Sequence, residues 1–264
     1  MNSTTPLALV TGASSGIGLS FARRLAAQGY NLIVVGRRKL RLDALAAEFP
    51  AADIRTVVAD LACETGIATV AALCRQEPLS LLINNAGVAH YMSLTALPSE
   101  KSSELLQVKC VAPTLLAYAA APGMATRGGD TIINVAGMLA FGATAPLGQA
   151  PGRAIYVAAL SHLVSLSLAL HEELSPAGLR IQALCPGIVA TEFHERQGMD
   201  LSAMVRMTAD EAVTASLRGL DLGEVICAPG VAQRSARMPG GIWRTISSVG
   251  GALPVIARYR HRAL

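Results

Sequence analysis

Charged side chains are scarce in this 264-residue chain. Asp, Glu, Lys and Arg make up 15% of it, against 52% hydrophobic residues. So little charge indicates a well-buried sheet and further burial between subunits, because a monomer this apolar would expose large apolar patches. We therefore expect the chain to associate into an oligomer.

Paired cysteines are absent. The cysteines form no CxxC motif, and such a scattered, odd-numbered set is typical of reduced thiols in a protein core. We therefore expect a cytoplasmic protein. Histidines and cysteines lie too far apart in sequence for a zinc site, so no metal is predicted. The cysteines are Cys63, Cys74, Cys110, Cys185 and Cys227.

A long uninterrupted hydrophobic run is missing as well. The first residues, MNSTTPLALV, have no basic region before an apolar stretch. The most apolar segment, YVAALSHLVSLSLAL, is interrupted by His162 and by several serines. We expect neither a secretion signal nor a membrane span.

Acidic residues do not occur beyond Glu224, whereas arginines accumulate there. This basic tail, residues 230–264, fits a solvated face or a subunit contact better than a site for a polyanion or a membrane surface. We expect no nucleic-acid partner. The arginines are Arg234, Arg237, Arg244, Arg258, Arg260 and Arg262.

The chain does have a regular alternation of short apolar runs and amphipathic segments. Each run is short enough for a strand buried on both faces, and the intervening segments repeat apolar residues with helical spacing. The pattern predicts one α/β domain over 1–264, a doubly wound parallel sheet of about seven strands with helices on both faces. A Gly-, Ala- and Pro-rich stretch, 137–153, is predicted to be a loop. The runs lie at 7–11, 31–35, 54–59, 80–84, 131–135, 179–184 and 224–228.

The turn after the first run has the sequence TGASSGIG. Its glycines, Gly12, Gly16 and Gly18, allow a tight bend and a close approach to a pyrophosphate, and the next helix would direct free N–H groups at that anion. The spacing is GxxxGxG and not the general GxGxxG. Its place between a strand and a helix favours nucleotide binding over a plain turn of small residues.

The end of the second run indicates which nucleotide is bound. Gly36 stands where an acidic residue would bind the ribose 2′-hydroxyl, and Arg37 and Arg38 follow. Guanidinium groups hold a 2′-phosphate by charge-assisted hydrogen bonds, whereas an acid would repel it. We therefore predict NADP(H) as the cofactor.

Four ordered motifs resemble those of the short-chain dehydrogenase/reductase family over nearly the whole chain. They are TGASSGIG at 11–18, Asp60-Leu61, NNAG at 84–87 and PGIVAT at 186–191. The residues expected to contact the cofactor are Gly12, Ser14, Ser15, Gly16, Ile17, Gly18, Arg37, Arg38, Asp60, Leu61, Asn85, Ala86, Gly87, Pro186, Gly187, Val189 and Thr191.

The resemblance implies a Rossmann-type fold and a bound nicotinamide cofactor. It also implies a pocket for a small carbonyl compound, roofed by a lid-like segment at 191–210. It implies, finally, a homodimer or a homotetramer whose subunits pack through two long helices, near residues 100–120 and 153–173.

The family's catalytic Asn, Ser, Tyr and Lys match this chain only at the tyrosine, Tyr156. Leu160 stands in the place of the lysine, and Gly137 in the place of the serine. Lys109 corresponds to the asparagine. We hypothesise that Lys109 supplies the missing ammonium group from this neighbouring helix; the alternative is a lysine on a solvent-exposed helix face.

Other side chains could replace the missing serine. His90 and Tyr91 follow NNAG, where the pocket wall begins in the family, and either could donate a hydrogen bond or simply line the pocket. Phe193 lies in the lid-like segment and is expected to contact the substrate. His194 is a weaker candidate.

A tyrosine with an ordinary pKa near 10 is protonated at neutral pH, so Tyr156 can act as an acid but is a poor base without a cation nearby. We therefore predict an NADPH-dependent carbonyl reductase with an atypical active site. The alternatives are a non-redox enzyme of the same fold, a catalytically silent NADP(H)-binding protein, or a regulator that senses NADPH.

Overall fold

A computed structural model describes residues 5–142 and 151–229. The elements run in the order β1 (Leu7–Thr11), α1 (Gly16–Ala27), β2 (Asn31–Gly36), α2 (Lys39–Glu48), β3 (Ile54–Val58), α3 (Glu64–Gln76), β4 (Leu79–Asn84), α4 (Ser99–Leu106), a π-helical turn (Gln107–Val111), α5 (Ala112–Arg127), β5 (Thr131–Val135), α6 (Ala154–Leu174), β6 (Arg180–Leu184), α7 (Glu192–Glu195), α8 (Ala209–Asp221) and β7 (Ile226–Cys227). Short 3₁₀ turns at Met138–Phe141 and Ser175–Ala177 flank α6.

Within 5–142 and 151–229, seven strands form one parallel sheet in the order β3-β2-β1-β4-β5-β6-β7. The predicted doubly wound α/β fold is therefore confirmed. The chain reverses its winding direction between β1 and β4, and ligands bind at such a switch point, outside the carboxyl ends of the strands.

The strands are apolar because helices cover both faces of the sheet. On one face α1 and α8 bury Phe21 and Val213 against the sheet, and on the other α3 and α5 bury Val70 and Leu116. A third cluster, which includes Leu163, lies beneath the start of α6. These layers leave the carboxyl edge of the sheet as the place where side chains can meet a ligand.

A buried hydrogen-bond chain fixes α6 against the sheet. Asn84 donates to Asn134 at 2.9 Å, Asn134 donates to Ser167 at 2.9 Å, and the Ser167 hydroxyl donates to the Leu163 carbonyl at 2.7 Å. Buried polar groups are costly unless they are paired, so this chain specifies one position of α6 relative to β4 and β5.

Two of the described helical stretches, Ser99–Arg127 and Ala154–Ala177, are long and apolar enough to cross a membrane by length and composition alone. Of their most apolar windows, 50% and 39% are buried within the fold. Both stretches pack on the sheet, and core helices of α/β proteins pass the same test. Their length and composition are therefore weak evidence for a membrane span.

The cysteines are free. Cys74, Cys185 and Cys227 are buried and Cys110 is half-buried, but Cys63 is exposed. The expectation of core cysteines is therefore wrong for Cys63, which lies in the turn before α3. The basic tail, 230–264, lies outside the described residues, as do residues 143–150 of the predicted loop.

Candidate active site

A cavity of about 1090 Å³ opens at the carboxyl edge of the sheet. Its wall is formed by the β1–α1 turn, the ends of β2, β4 and β5, the first turns of α6, and the segment that follows β6. The motifs predicted from the sequence thus meet around one space. The cofactor-binding candidates among its lining residues are Gly12, Ser14, Ser15, Gly16, Ile17, Arg37, Arg38, Asp60, Leu61, Asn85, Ala86, Gly87, Pro186, Gly187, Val189 and Thr191.

The glycine turn is held against the segment after β4. Gly12 has a φ of +68°, and a Cβ there would lie 2.8 Å from Asn85 Nδ2 and 2.9 Å from Ala86 Cα. Asn85 in turn donates from Nδ2 to the Thr11 carbonyl at 3.0 Å. A side chain at Gly18 would collide with Asn85 as well, so this glycine serves close packing.

The N-terminus of α1 is suited to an anion. Its N-cap, Ser15, makes no side-chain capping bond, and the first turn of α1 holds no acidic residue. The N–H groups at a helix start carry a partial positive charge and bind phosphate. The observed geometry therefore fits a dinucleotide pyrophosphate.

Arg38 and Arg37 have different surroundings. Arg38 donates to the hydroxyls of Ser14 at 2.9 Å and Ser15 at 2.7 Å, so its guanidinium group lies over the glycine turn. Arg37 lies 3.7 Å from the carboxylates of both Asp60 and Glu104. Because it lies over the glycine turn, Arg38 is in the better position to hold a 2′-phosphate, although the Glu192 carboxylate also pairs with it at 2.7 Å.

The segment after β6 closes the other side of the cavity. The Ala190 N–H donates to the Met207 carbonyl at 2.8 Å, and the Met207 N–H donates to the Ile188 carbonyl at 3.0 Å. Thr191 caps α7 by accepting from the Phe193 N–H at 3.3 Å. Thr191 also packs on the glycine turn, because a Cβ at Gly16 would lie 3.1 Å from its Cγ2.

Tyr156 lies in the first turn of α6 and is only 8% exposed. Its ring packs edge-on against that of Tyr91, with centroids 5.5 Å apart, and lies 6.4 Å from that of Phe193. Burial, followed by the charge and hydroxyl of Tyr91, raises the pKa of Tyr156 well above 10. The phenol is thus protonated at neutral pH.

Apolar groups take up the two positions next to Tyr156 where the sequence departs from the family. Leu160 is 1% exposed, and its Cδ1 lies 3.4 Å from the position of a Cβ added at Gly137. The part of the cavity next to Tyr156 therefore has neither a lysine nor a serine at these positions.

Lys109 lies in the π-helical turn between α4 and α5 and is 4% exposed. Its Nζ donates to the Val135 carbonyl at 3.1 Å, at the end of β5. A Cβ at Gly87 would lie 2.8 Å from this Nζ, so the ammonium group contacts the NNAG segment. The alternative of a solvent-exposed helix face is wrong: Lys109 lines the cavity.

Burial lowers the pKa of Lys109 to about 8, although the neighbouring Cys110 thiol opposes the shift. The extra residue per turn of a π-helix explains why the side chain faces inward, and such turns are frequent at functional sites. No sequence pattern in this stretch indicated the π-helical turn.

His90 lines the cavity but is engaged elsewhere. Its Nε2 lies 3.0 Å from Glu104, whose carboxylate also binds Lys101 at 3.3 Å. Tyr91, by contrast, contacts Tyr156 directly. Tyr91 is therefore the better placed donor of the two candidates.

His194 belongs to an aromatic group around Tyr91. Its ring stacks with that of Tyr91 at a centroid distance of 6.3 Å and meets that of Phe193 edge-on at 5.4 Å. Burial, and then the charge of Arg206, lowers the pKa of His194. At neutral pH it thus adds a largely neutral ring to the pocket wall.

Sequence reasoning missed Glu192, the first residue of α7. Its carboxylate accepts hydrogen bonds from Arg38 at 2.7 Å and from Arg41 at 2.9 Å. The partners are remote in sequence, and the only local signal was the i, i+4 spacing to Arg196, which pairs with it at 2.9 Å. Within 5–142 and 151–229, no three His, Cys, Asp or Glu side chains group as metal ligands would.

The sequence profile of the short chain dehydrogenase family matches residues 6–201. This chain therefore belongs to that family of oxidoreductases, as its motifs predicted. A very-long-chain 3-oxoacyl-CoA reductase of Pyrenophora tritici-repentis is 33% identical over 193 residues, which cover 70% of this chain and 55% of the relative. The chain thus spans little more than half the length of that fungal protein.

Solved structures share the whole fold. A short-chain dehydrogenase from Sphingobium yanoikuyae in complex with NADPH is 34% identical, with a TM-score of 0.82 over 92% of both chains. The bulky-bulky ketone specific alcohol dehydrogenase from Comamonas testosteroni is 31% identical, with a TM-score of 0.77 over 92% of this chain and 91% of the other.

Proposed function

We propose that this protein is an NADPH-dependent carbonyl reductase whose proton donor is Tyr156. The observation that carries the proposal is that Tyr156, the buried Lys109 and the glycine turn line the same cavity. An acid, a cation and a nucleotide site that line one cavity are the groups that hydride transfer to a carbonyl requires.

The residues fit a phosphorylated dinucleotide. The start of α1 would bind the pyrophosphate, the Arg38 guanidinium with the Ser14 and Ser15 hydroxyls would bind the 2′-phosphate, and Thr191, which lines the same cavity, would help to hold the nicotinamide end. When bound, the cofactor supplies the hydride. The relative solved with NADPH supports this choice over NADH.

Tyr156 favours the direction of reduction. Because burial and Tyr91 keep its phenol protonated, it can donate a proton to a carbonyl oxygen but is a weak base for alcohol oxidation. Tyr91, whose own pKa is raised to about 12 by burial, stays protonated too and can orient the same oxygen. It would take over the task of the missing serine.

Lys109 would supply the positive charge that is absent at Leu160. Its Nζ sits between the end of β5 and Gly87, at the floor of the cavity. An ammonium group in this low-dielectric position would stabilise negative charge that develops on the substrate oxygen.

The pocket wall favours an apolar carbonyl compound. Tyr91 and Phe193 face Tyr156, and Met199, Leu201 and Met204 complete the lining on the side of the lid-like segment. Methionines adapt to irregular apolar ligands. The bulky-ketone specificity of one structural relative and the 3-oxoacyl substrate of another relative support a bulky ketone.

The test is NADPH binding by calorimetry, followed by NADPH oxidation at 340 nm with a panel of bulky ketones. We expect Tyr156→Phe to bind NADPH within about 2-fold of the wild type and to lose about 10²-fold or more in turnover, because only the acid is removed. Unchanged turnover in this variant would contradict the assignment of Tyr156.

A second function, NADP(H) binding without turnover, is favoured by the buried Leu160 and by Gly137, which leave no lysine or serine beside Tyr156. It predicts tight NADPH binding with no ketone reduced. A protein that transforms a substrate at constant 340 nm absorbance would instead be a non-redox enzyme.

A further inference from the structure

Glu192 is an acidic residue in a basic setting. Its two carboxylate oxygens pair with Arg38 at 2.7 Å, Arg41 at 2.9 Å and Arg196 at 2.9 Å. Burial alone would raise the pKa of Glu192, but hydrogen bonds from Ser15, Arg38 and Arg41 and the charge of Arg38 lower it to about 2. The carboxylate is therefore ionised at any physiological pH.

These partners are the same groups that the cofactor site would use. Arg38 binds Ser14 and Ser15 through one edge of its guanidinium group and Glu192 through Nη1. Arg38 follows β2 at the place where this type of fold recognises the ribose 2′ position. The Glu192 carboxylate thus binds the Arg38 N–H groups that the oxygens of a 2′-phosphate would also bind.

We infer that Glu192 sets the preference of this chain between NADPH and NADH. Its carboxylate pairs with the Arg38 guanidinium group, which a 2′-phosphate would also bind, and so weakens NADPH binding relative to NADH binding. The inference rests on the proposed function. NADPH must displace the Glu192 carboxylate, whereas NADH, which has only a hydroxyl at this position, leaves the Arg38–Glu192 pair intact. A carboxylate and a phosphate that converge on the Arg38 guanidinium group compete for its N–H donors, most of which already serve Ser14, Ser15 and Glu192, and their negative charges repel each other.

The displacement would reach the substrate side of the cavity. Glu192 is the first residue of α7, and Phe193 and His194, which follow it, form the aromatic wall beside Tyr91 and Tyr156. Moving the Glu192 side chain away from Arg38 would weaken the link between α7 and the β2–α2 connection, leaving Arg41 on α2 as its partner there. Binding of the cofactor's 2′-phosphate would therefore change the position of Phe193 and His194 in the pocket wall.

The opposite role, in which Glu192 holds Arg38 ready for the phosphate, predicts an effect of opposite sign. Removing the negative charge would then weaken NADPH binding, because Arg38 would lose its support. The sign of the change in affinity distinguishes the two roles.

The experiment compares the wild type with Glu192→Gln by calorimetry, using NADPH, NADH, adenosine 2′,5′-bisphosphate and 5′-AMP. We expect NADPH and the bisphosphate to bind about 10-fold tighter to the variant, while NADH and 5′-AMP stay within about 2-fold. The matched control is Glu48→Gln, which breaks an exposed pair with Arg23 at 2.7 Å outside the cavity and should change none of the affinities.

Hydrogen exchange provides a second measurement. In the wild type, NADPH but not NADH should speed amide exchange across α7, and Glu192→Gln should show the faster exchange without any cofactor. An unchanged NADPH-to-NADH affinity ratio, or weaker NADPH binding, in a variant with wild-type melting temperature would overturn this inference alone. If the wild type bound neither NADPH nor NADH, the proposed function would fall together with it.

Discussion

Lys109 combines two opposing effects at a single residue. Its ammonium group is buried beside Gly87 and the Val135 carbonyl, which costs folding free energy. In the proposed mechanism, the same ammonium group replaces the one that the site lacks at position 160. Residues that serve a site at the expense of stability are a recurrent feature of enzymes. Stability and turnover should therefore change in opposite directions when Lys109 is replaced.

We expect Lys109→Met to lower turnover by about 10²-fold and to raise the free energy of unfolding at pH 7 by about 1–3 kcal/mol. Methionine keeps the length of the side chain but removes the charge. Ketone reduction at 340 nm and urea unfolding would measure the two effects. Lys101→Met, which removes an exposed lysine at the cavity rim, is the control and should change neither quantity much.

The same residue gives a pH dependence with a definite sign. The pKa of Lys109 in the folded state, about 8, lies below its ordinary value of 10.5, so between these pH values the unfolded chain binds more protons. This group's contribution to stability therefore rises with pH across that window, and its charge, with any turnover that needs it, is lost above about pH 8. Lys109→Met should remove the rise; a wild-type profile that is unchanged in the variant would contradict this account.

At the level of elements, the β1–α1 turn depends on two separate properties of glycine. Gly12 and Gly29 both have a positive φ, +68° and +85°, but only Gly12 has atoms close to where a Cβ would lie. Comparing substitutions at Gly12 and Gly29 therefore distinguishes the effect of backbone strain, which both would cause, from the effect of collision with the NNAG segment, which only Gly12 would cause.

We expect Gly12→Ala to abolish measurable NADPH binding and to destabilise the fold by about 2–4 kcal/mol, since strain and collision add. Gly29→Ala should cost only about 1–2 kcal/mol and leave NADPH affinity unchanged, because its Cβ meets nothing within 4 Å. Calorimetry and thermal unfolding would measure these effects. Equal losses of affinity in both variants would show that the collision with Asn85 does not matter.

Most strands were predictable from the sequence because they are buried on both faces and therefore read as apolar runs. The run at 54–59 also contains a strand, β3, but the expectation of burial on both faces is wrong there, because this edge strand has no fully buried residue. The runs at 7–11 and 131–135 coincide with β1 and β5, whereas the run at 224–228 contains only the two-residue β7. Among the described strands, β7 pairs only with β6, through Ala183 and Leu184, so it has fewer partners than a central strand.

The site was only partly predictable, for physical reasons that differ from residue to residue. Tyr156 and the glycine turn follow from local motifs. The inward orientation of Lys109 depends on one π-helical turn, which the spacing of apolar residues along the sequence does not reveal. Glu192 meets Arg38 across 154 residues of sequence, a tertiary contact that no local pattern encodes.

At the scale of the whole molecule, one helical surface is unusually apolar. Large hydrophobic side chains are exposed along α4, the π-helical turn and α5, and on the neighbouring α6; we call this surface the apolar face. Its members are Leu106, Val111, Leu115, Tyr118 and Leu168, of which Tyr118 is 76% exposed. Large apolar side chains exposed on neighbouring helices are typical of association surfaces. We propose that the apolar face is the contact of the expected homodimer or homotetramer.

We expect Leu115→Asp combined with Tyr118→Asp to shift the protein to monomers, because two buried carboxylates without partners would oppose association. Sedimentation velocity measures the change. Leu40→Asp on α2, where Leu40 is 84% exposed and distant in sequence from the apolar face, is the control and should keep the oligomer. An unchanged sedimentation coefficient in the double variant would exclude this surface as the contact.

The exposed thiol of Cys63 has a practical consequence. Its Sγ lies 3.2 Å from the carbonyl oxygen of Asp60, which borders the nucleotide end of the cavity, while three of the other four thiols are buried and Cys110 is half-buried. A maleimide dye would thus attach preferentially at the mouth of the nucleotide site in the natural sequence. Its emission would then follow the arrival and departure of cofactor in real time, without any engineered label.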